Sequence, residues 1–176
     1  MDCCKIRSYN YKKAQIFGKK PTWINRLIAI RSSPQVHTEF QFSSLYNHIS
    51  FSNTMQDDVK CARFKQIGYS HGSERWDTIN VLMTREEEDM AYLEAKRLEG
   101  TPYALISQLC HISKWKIWKP SKKKDWCTRT VANVVSAGCV GFGTWLECFS
   151  FSNEIRPDQF HVVAGVYFAK RQGSAS

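Results

Sequence analysis

Seven residues, Val36-His-Thr-Glu-Phe-Gln-Phe42, alternate strictly between two sets of positions. Side chains of a strand repeat every two residues, so Val36, Thr38, Phe40 and Phe42 share one face. His37, Glu39 and Gln41 share the other. Two phenylalanines on one face require a covering layer, and three polar groups on the reverse require water, partners or a site. Turn-like Ser43 to Asn47, followed by His48-Ile-Ser-Phe-Ser-Asn53, makes the pattern a hairpin. Val59 to Ile67 reads as a third strand. Trp76 to Met83 reads as another, with Ile79, Val81 and Met83 in phase.

Helical signals lie between and after these strands. Pro21 opens a helix whose stripe is Trp23, Ile24, Leu27, Ile28 and Ile30. Thr84 is an N-cap, with Glu86, Glu87 and Glu88 in the first turn, where the helix dipole favours acids. Gly100 stops that helix as a C′ residue. Thr101-Pro102-Tyr103 opens a further helical piece through Cys110. Trp126-Cys127 leads into a helix from Thr128 to Ala137, ended by Gly138. A short strand is read within Ile6 to Phe17 and a final strand from Phe160 to Ala169. The order is α+β and not a βαβ series. At 176 residues the chain fits a single domain, taken as residues 1–171, with a disordered tail at 172–176.

The net charge of +9 is unevenly placed. Residues 1–40 carry net +6, residues 41–113 net −3, residues 114–129 net +6, and residues 130–176 balance. The dense block, Lys114 to Lys124, interleaves lysines with Trp115 and Trp118, a composition that holds phosphates and stacks bases or forms a solvated loop. No apolar run reaches the roughly 18 residues needed to span a bilayer. The basic N-terminus lacks the apolar core of a secretory signal. A cytoplasmic protein is expected, and with it reduced thiols.

Seven cysteines, an odd number without a CxxC, do not form a disulfide framework or a zinc site, and no metal or cofactor is expected. Cys3 and Cys4 are expected to be exposed, and Cys110, Cys139 and Cys148 to be buried small hydrophobes. Cys127 differs. It stands at the first turn of a helix after a basic loop, and both the helix N-terminus and cations such as Lys124 and Arg129 favour thiolate. A thiolate nucleophile needs a base, usually an oriented histidine. Of five histidines, His37 sits on the polar face of a strand that begins just after a turn. The alternative is a buried structural cysteine and an edge-strand histidine.

The stretch Trp23 to Glu39 resembles a segment of the circularly permuted papain-like NlpC/P60 enzymes, in which a short helix leads into the strand of the catalytic histidine. Ser50-Phe-Ser-Asn53 is similar to the following strand, and Trp76-Asp77-Thr-Ile to a later strand of viral members. Gly100-Thr-Pro-Tyr103 is similar to the family's Gly-x-x-Tyr turn. Asp125-Trp-Cys127-Thr-Arg-Thr-Val131 resembles its aromatic-Cys-Ser-Glu-x-Val motif. Ile155-Arg-Pro157-Asp-Gln-Phe160 resembles its closing Thr-Pro-x-x-Leu. The likeness spans roughly residues 20–165, and the order of His before Cys is its most specific part. It implies an antiparallel sheet or half-barrel packed against helices. Relatives occur in bacteria, bacteriophages and poxviruses, which would put a viral member in the host cytoplasm.

The resemblance implies acyl transfer: Cys127 attacks an amide or ester carbonyl and His37 moves the proton. Trp126, Tyr103, Arg129 and Lys124 would line the substrate. The family's Cys-Ser-Glu becomes Cys127-Thr128-Arg129, which exchanges a negative charge for a positive one beside the thiol. The third catalytic member is not fixed by the motif. Glu39 lies on the face of His37, about 7 Å along the strand, and Ser52 is the alternative from the next strand of the hairpin. The substrate would be an acidic peptide, peptidoglycan or a lipid. The competing expectation is a catalytically silent fold that binds nucleic acid or an acidic host protein through the basic loop.

Overall fold

The structure is a computed structural model that describes residues 2–16, 26, 29, 34–54, 60–66, 73–104, 126–148 and 155–174. Its centre is a five-stranded antiparallel sheet built from β1 (Cys4–Asn10), β2 (Gln35–Gln41), β3 (Ser50–Asn53), β4 (Ala62–Lys65) and β5 (Trp76–Val81). The order is β4-β3-β2-β1-β5, so β2 and β1 are interior. The register aligns Ile79, Ile6, Phe40, Phe51 and Phe64 in one row across all five strands. Ile6, Phe40 and Phe51 in that row have no exposed surface, so this is the face that the helices cover. His37, Glu39 and Gln41 occupy the reverse face, opposite Tyr9, Arg7 and Lys5 of β1.

Among the described residues, four further helices with stated bounds follow α1 (Tyr11–Ile16): α2 (Arg85–Leu98), α3 (Cys127–Gly138), α4 (Val140–Cys148) and α5 (Pro157–Gly173). Thr84 caps α2 as expected: its Oγ1 accepts from the Glu87 N–H at 3.3 Å, and Glu87 Oε2 accepts from the Thr84 N–H at 2.9 Å. Gly100 then takes φ +81°, a conformation glycine adopts without strain. Helix α2 buries Ala91 and Ala95. Such small residues allow α3 to approach closely, bringing Val131, Val134 and Val135 into the core. One buried cluster runs from Cys4 to Phe168. No helix among the described residues is long and apolar enough to cross a membrane.

Several expectations change. Phe160 to Ala169 is helical and not a strand. Phe160, Val163, Ala164 and Phe168 are buried at helical spacing, whereas Val162 and Val166 are exposed. Pro157 suits the first turn because its missing N–H would have no partner there. The β-branched valines favour strands only when packing agrees. The same helix takes in Gln172 and Gly173, which the sequence reading assigned to a tail. At the other end, the strand within Ile6 to Phe17 starts earlier, at Cys4, and gives way to α1 at Tyr11. Interior strand β1 buries Cys4 completely enough to leave it 1% exposed. Cys3 is half-buried, Cys139 is buried and Cys148 is exposed at the end of α4. Pro102 forms a bridge with Cys61, and the rest of the helical piece expected through Cys110 lies outside the described residues. Gly138 is the last residue of α3, where its role is close packing: a Cβ there would lie 2.5 Å from the Glu87 carbonyl oxygen. The helix expected from Pro21, apart from Arg26 and Ala29, lies outside the described residues, as do residues 105–125 with Cys110 and the lysine-rich loop.

Candidate active site

Strand β2 is pinned at both ends by carboxylates. At its start, Asp77 of β5 accepts from Gln35 Nε2 at 2.8 Å, Asn10 Nδ2 at 2.8 Å and Lys13 Nζ at 2.7 Å. Those three donors hold its pKa below the usual carboxylate range although burial pushes the other way. Beyond its end, buried Glu88 of α2 accepts from the Ser43 N–H at 2.7 Å and from Ser43 Oγ at 2.8 Å. Residues of the strand between these anchors are therefore held in fixed positions.

Strand β2 carries His37, and the N-terminus of α3 brings Cys127 to it. Trp126 is the extended N-cap residue and Cys127 the first residue of the helix. The His37 imidazole and the Cys127 side chain are hydrogen-bonded. His37 Nε2 is 3.1 Å from Glu39 Oε1 and 3.5 Å from Ser52 Oγ. The glutamate spans the two-residue separation along the strand by its own length. The Trp76 ring stands edge-on to the imidazole, with centroids 6.2 Å apart. All three members are sheltered from water: Cys127 is 1% exposed, and the His37 and Glu39 side chains 15% and 11%.

Electrostatics at this site oppose desolvation and win. Burial pushes the Cys127 thiol up. The charge and hydrogen bond of His37, the Thr38 backbone N–H and the Thr128 hydroxyl together outweigh it and hold the thiol below its ordinary value. Burial likewise disfavours the imidazolium, but Cys127 and Glu39 outweigh it and raise His37 to about 10. The favoured state between these limits is a thiolate–imidazolium pair. Other thiols with resolved shifts go the opposite way: burial and Glu88 push Cys4 well up, and burial and Glu87 raise Cys139 to about 11.

The remaining residues singled out from sequence are placed as follows. Trp126 is buried, and the Arg129 guanidinium lies 5.8 Å from its ring centroid. Tyr103 is half-buried beside β4, where its N–H donates to the Lys60 carbonyl at 3.0 Å. Lys124 lies outside the described residues. His161 is on α5, its Nδ1 3.1 Å from Ser8 Oγ, and His48 sits in the turn after β2 with φ 54°. Two contributors escaped the sequence reading. Thr128 Oγ1 is 3.8 Å from Cys127 Sγ, a contact its adjacency in the chain could have suggested. Thr38 acts through its backbone N–H, which leaves no signature in a side-chain pattern. Among the described residues no cluster of His, Cys, Asp and Glu could hold a metal ion. Comparison with protein-family models, curated proteins and solved structures gives no match to this chain.

Proposed function

We propose that the chain is a cysteine hydrolase or acyltransferase of the circularly permuted papain-like, NlpC/P60 type, acting on an amide or ester. The observation that carries this reading is the hydrogen-bonded series Cys127–His37–Glu39, with the thiol at a helix N-terminus. The order of histidine strand before cysteine helix, and an antiparallel sheet with helices on one face, are in keeping with that family.

The chemistry follows from these positions. Cys127 Sγ attacks the substrate carbonyl carbon, and the new oxyanion faces the N–H groups at the start of α3, where the helix dipole is positive. The His37 imidazolium gives its proton to the leaving nitrogen or oxygen as the bond to carbon breaks, leaving a thioester on Cys127. Neutral His37 then takes a proton from water, or from an acceptor alcohol or amine, as that group attacks the thioester. Collapse expels the thiolate and restores the imidazolium. Glu39 keeps Nε2 protonated and the ring in place throughout.

The test is covalent trapping with an activated acyl ester, read by intact mass. The wild type is expected to gain one acyl group at Cys127 and then lose it. Cys127→Ala should gain none there. His37→Ala should label at least tenfold more slowly, and labelling at the wild-type rate would refute the dyad.

A further inference from the structure

The sheet face that carries His37 also carries a pattern of charge. One row crosses all five strands there: Asn80, Lys5, Gln41, Ser50 and Lys65 are successive partners in register. Two residues nearer to His37, Arg7 stands between Thr78 and Glu39, and Arg63 is the partner of Ser52. The row of His37 itself holds Tyr9 and Trp76. Among the described strand residues, alternation thus puts four cations on this face against the one carboxylate of Glu39. Lys5 and Arg7 come from β1 and Arg63 and Lys65 from β4, so they flank β2 and β3 on both sides. Arg7 is held across the strands: its Nε donates to Gln41 Oε1 at 2.9 Å and its Nη1 to Thr78 Oγ1 at 3.4 Å. Lys65, Thr78 and Asn80 are exposed, and Lys5, Arg7 and Arg63 are half-buried.

We propose that this face is the subsite for an acidic segment of a peptide substrate, with carboxylates about two and four residues from the scissile one. Rows on one face of a strand are ~7 Å apart, so the two rows of cations lie ~7 and ~14 Å along the sheet from the row of His37. Alternate side chains of an extended peptide repeat at the same interval. Across the sheet, β1 and β4 are separated by three strand spacings, ~14 Å. One phosphate or carboxylate cannot meet both pairs of cations, whereas a segment with several acids can. The neutral positions between them are Gln41, Ser50, Ser52, Thr78 and Asn80, with no aliphatic side chain among the described strand residues of this face. A lipid chain would find nothing there to pack on. The inference rests on the reading of Cys127 as an acyl-transfer nucleophile and adds the class of substrate that it takes.

The experiment uses two pairs of peptidyl esters on the full chain. In one pair the acyl part carries aspartate or asparagine about two and four residues before the scissile glycine. In the other pair the leaving part carries them at the same spacing after the ester. Acylation of Cys127 is read by intact mass. In at least one pair the aspartate probe is expected to react roughly tenfold faster than its asparagine counterpart at low salt, with a ratio that shrinks as salt is added. Lys5→Gln together with Lys65→Gln should lower that ratio roughly threefold or more. Lys96→Gln together with Lys170→Gln, an equal loss of charge from exposed positions of α2 and α5, should not. Ratios near one in both pairs, or equal losses for the two double variants, overturn the inference. So does salt-sensitive flotation with phosphatidylserine vesicles in place of any peptide preference, which would assign the face to a lipid surface. If none of the esters acylates Cys127, the hydrolase reading itself fails. Calorimetry with the two peptides then decides the face by itself: binding of the aspartate peptide alone keeps it as an acidic-peptide site, and no binding removes it.

Discussion

Replacing Gly138 by alanine sets two effects of similar size against each other. Alanine is favoured over glycine inside a helix by about 1 kcal/mol, and by less at a final residue such as this one. Against that gain, the added Cβ would stand 2.5 Å from the Glu87 carbonyl oxygen, with Ala91 Cβ at 3.1 Å and Met83 Cε at 3.2 Å. The methionine end can swing away, but the carbonyl is backbone. Its turn is also fixed twice over, by the Thr84–Glu87 capping box and by a two-pronged pair from Arg171 Nη2 to both Glu87 oxygens at 2.8 and 2.7 Å. Helix α2 or α3 must retreat by half an ångström or more, a strain that costs about 1–3 kcal/mol in packed cores. Gly138→Ala is therefore expected to destabilise by about 1–2 kcal/mol. For a chain of this size that lowers the melting temperature by about 3–6 °C. Gly165→Ala is the internal control, because its Cβ would meet only Ile79 Cδ1 at 3.8 Å in the middle of α5. It should stabilise by about 0.5–1 kcal/mol. Thermal unfolding followed by circular dichroism decides the matter. Shifts of the same sign for the two variants would refute the reasoning.

Three further outcomes are expected. Acyl transfer by Cys127 should rise with pH through a midpoint below that of an ordinary thiol. It should hold a plateau and then fall as His37 loses its proton near pH 10, measured as kcat/KM across pH; a profile that begins to rise only above pH 8.5 contradicts the ion pair. Glu88→Ala strips both acceptors from the Ser43 N–H and Oγ in a buried site and should cost about 3 kcal/mol, read from urea unfolding midpoints. Arg171→Met should cost only about 1 kcal/mol, since its pair with Glu87 is partly exposed to solvent and screened. A loss for Arg171→Met as large as that for Glu88→Ala would reverse the ranking by burial.

Much of the site could be read from the sequence because its groups follow local rules. Alternation put His37 and Glu39 on one face, and the first-turn position of Cys127 followed from the helix that begins there. The capping box of α2 is a four-residue pattern and was equally legible. What was lost depends on partners distant in the chain. Valines at 162, 163 and 166 suggested a strand, and only the burial of Phe160, Ala164 and Phe168 against the sheet and α4 selects the helix. Cys4 looked terminal and exposed because nothing nearby shows that β1 becomes an interior strand between β2 and β5. Helix α4, with two glycines and few polar residues, gave no amphipathic stripe to recognise. The choice between Glu39 and Ser52 stayed open because it turns on side-chain reach within the folded hairpin, where His37 Nε2 lies 3.1 Å from Glu39 Oε1 and 3.5 Å from Ser52 Oγ.

The interior place of β1 bears on how the chain reaches its native state. Its partners on one side are Trp76 to Val81, roughly seventy positions later, so the sheet cannot be zipped from a single hairpin. His37 and Cys127 are separated by ninety positions. Contacts of such span are slow to form because a long loop must close before it is rewarded. In the nascent or unfolded chain Cys127 is one ordinary thiol among seven. The lowering of its thiol pKa emerges only when α3 docks against β2. Thiol reactivity below the pH at which an ordinary thiol reacts is thus a chemical clock for the last stage of assembly, and it stays silent in any species that has secondary structure without that docking.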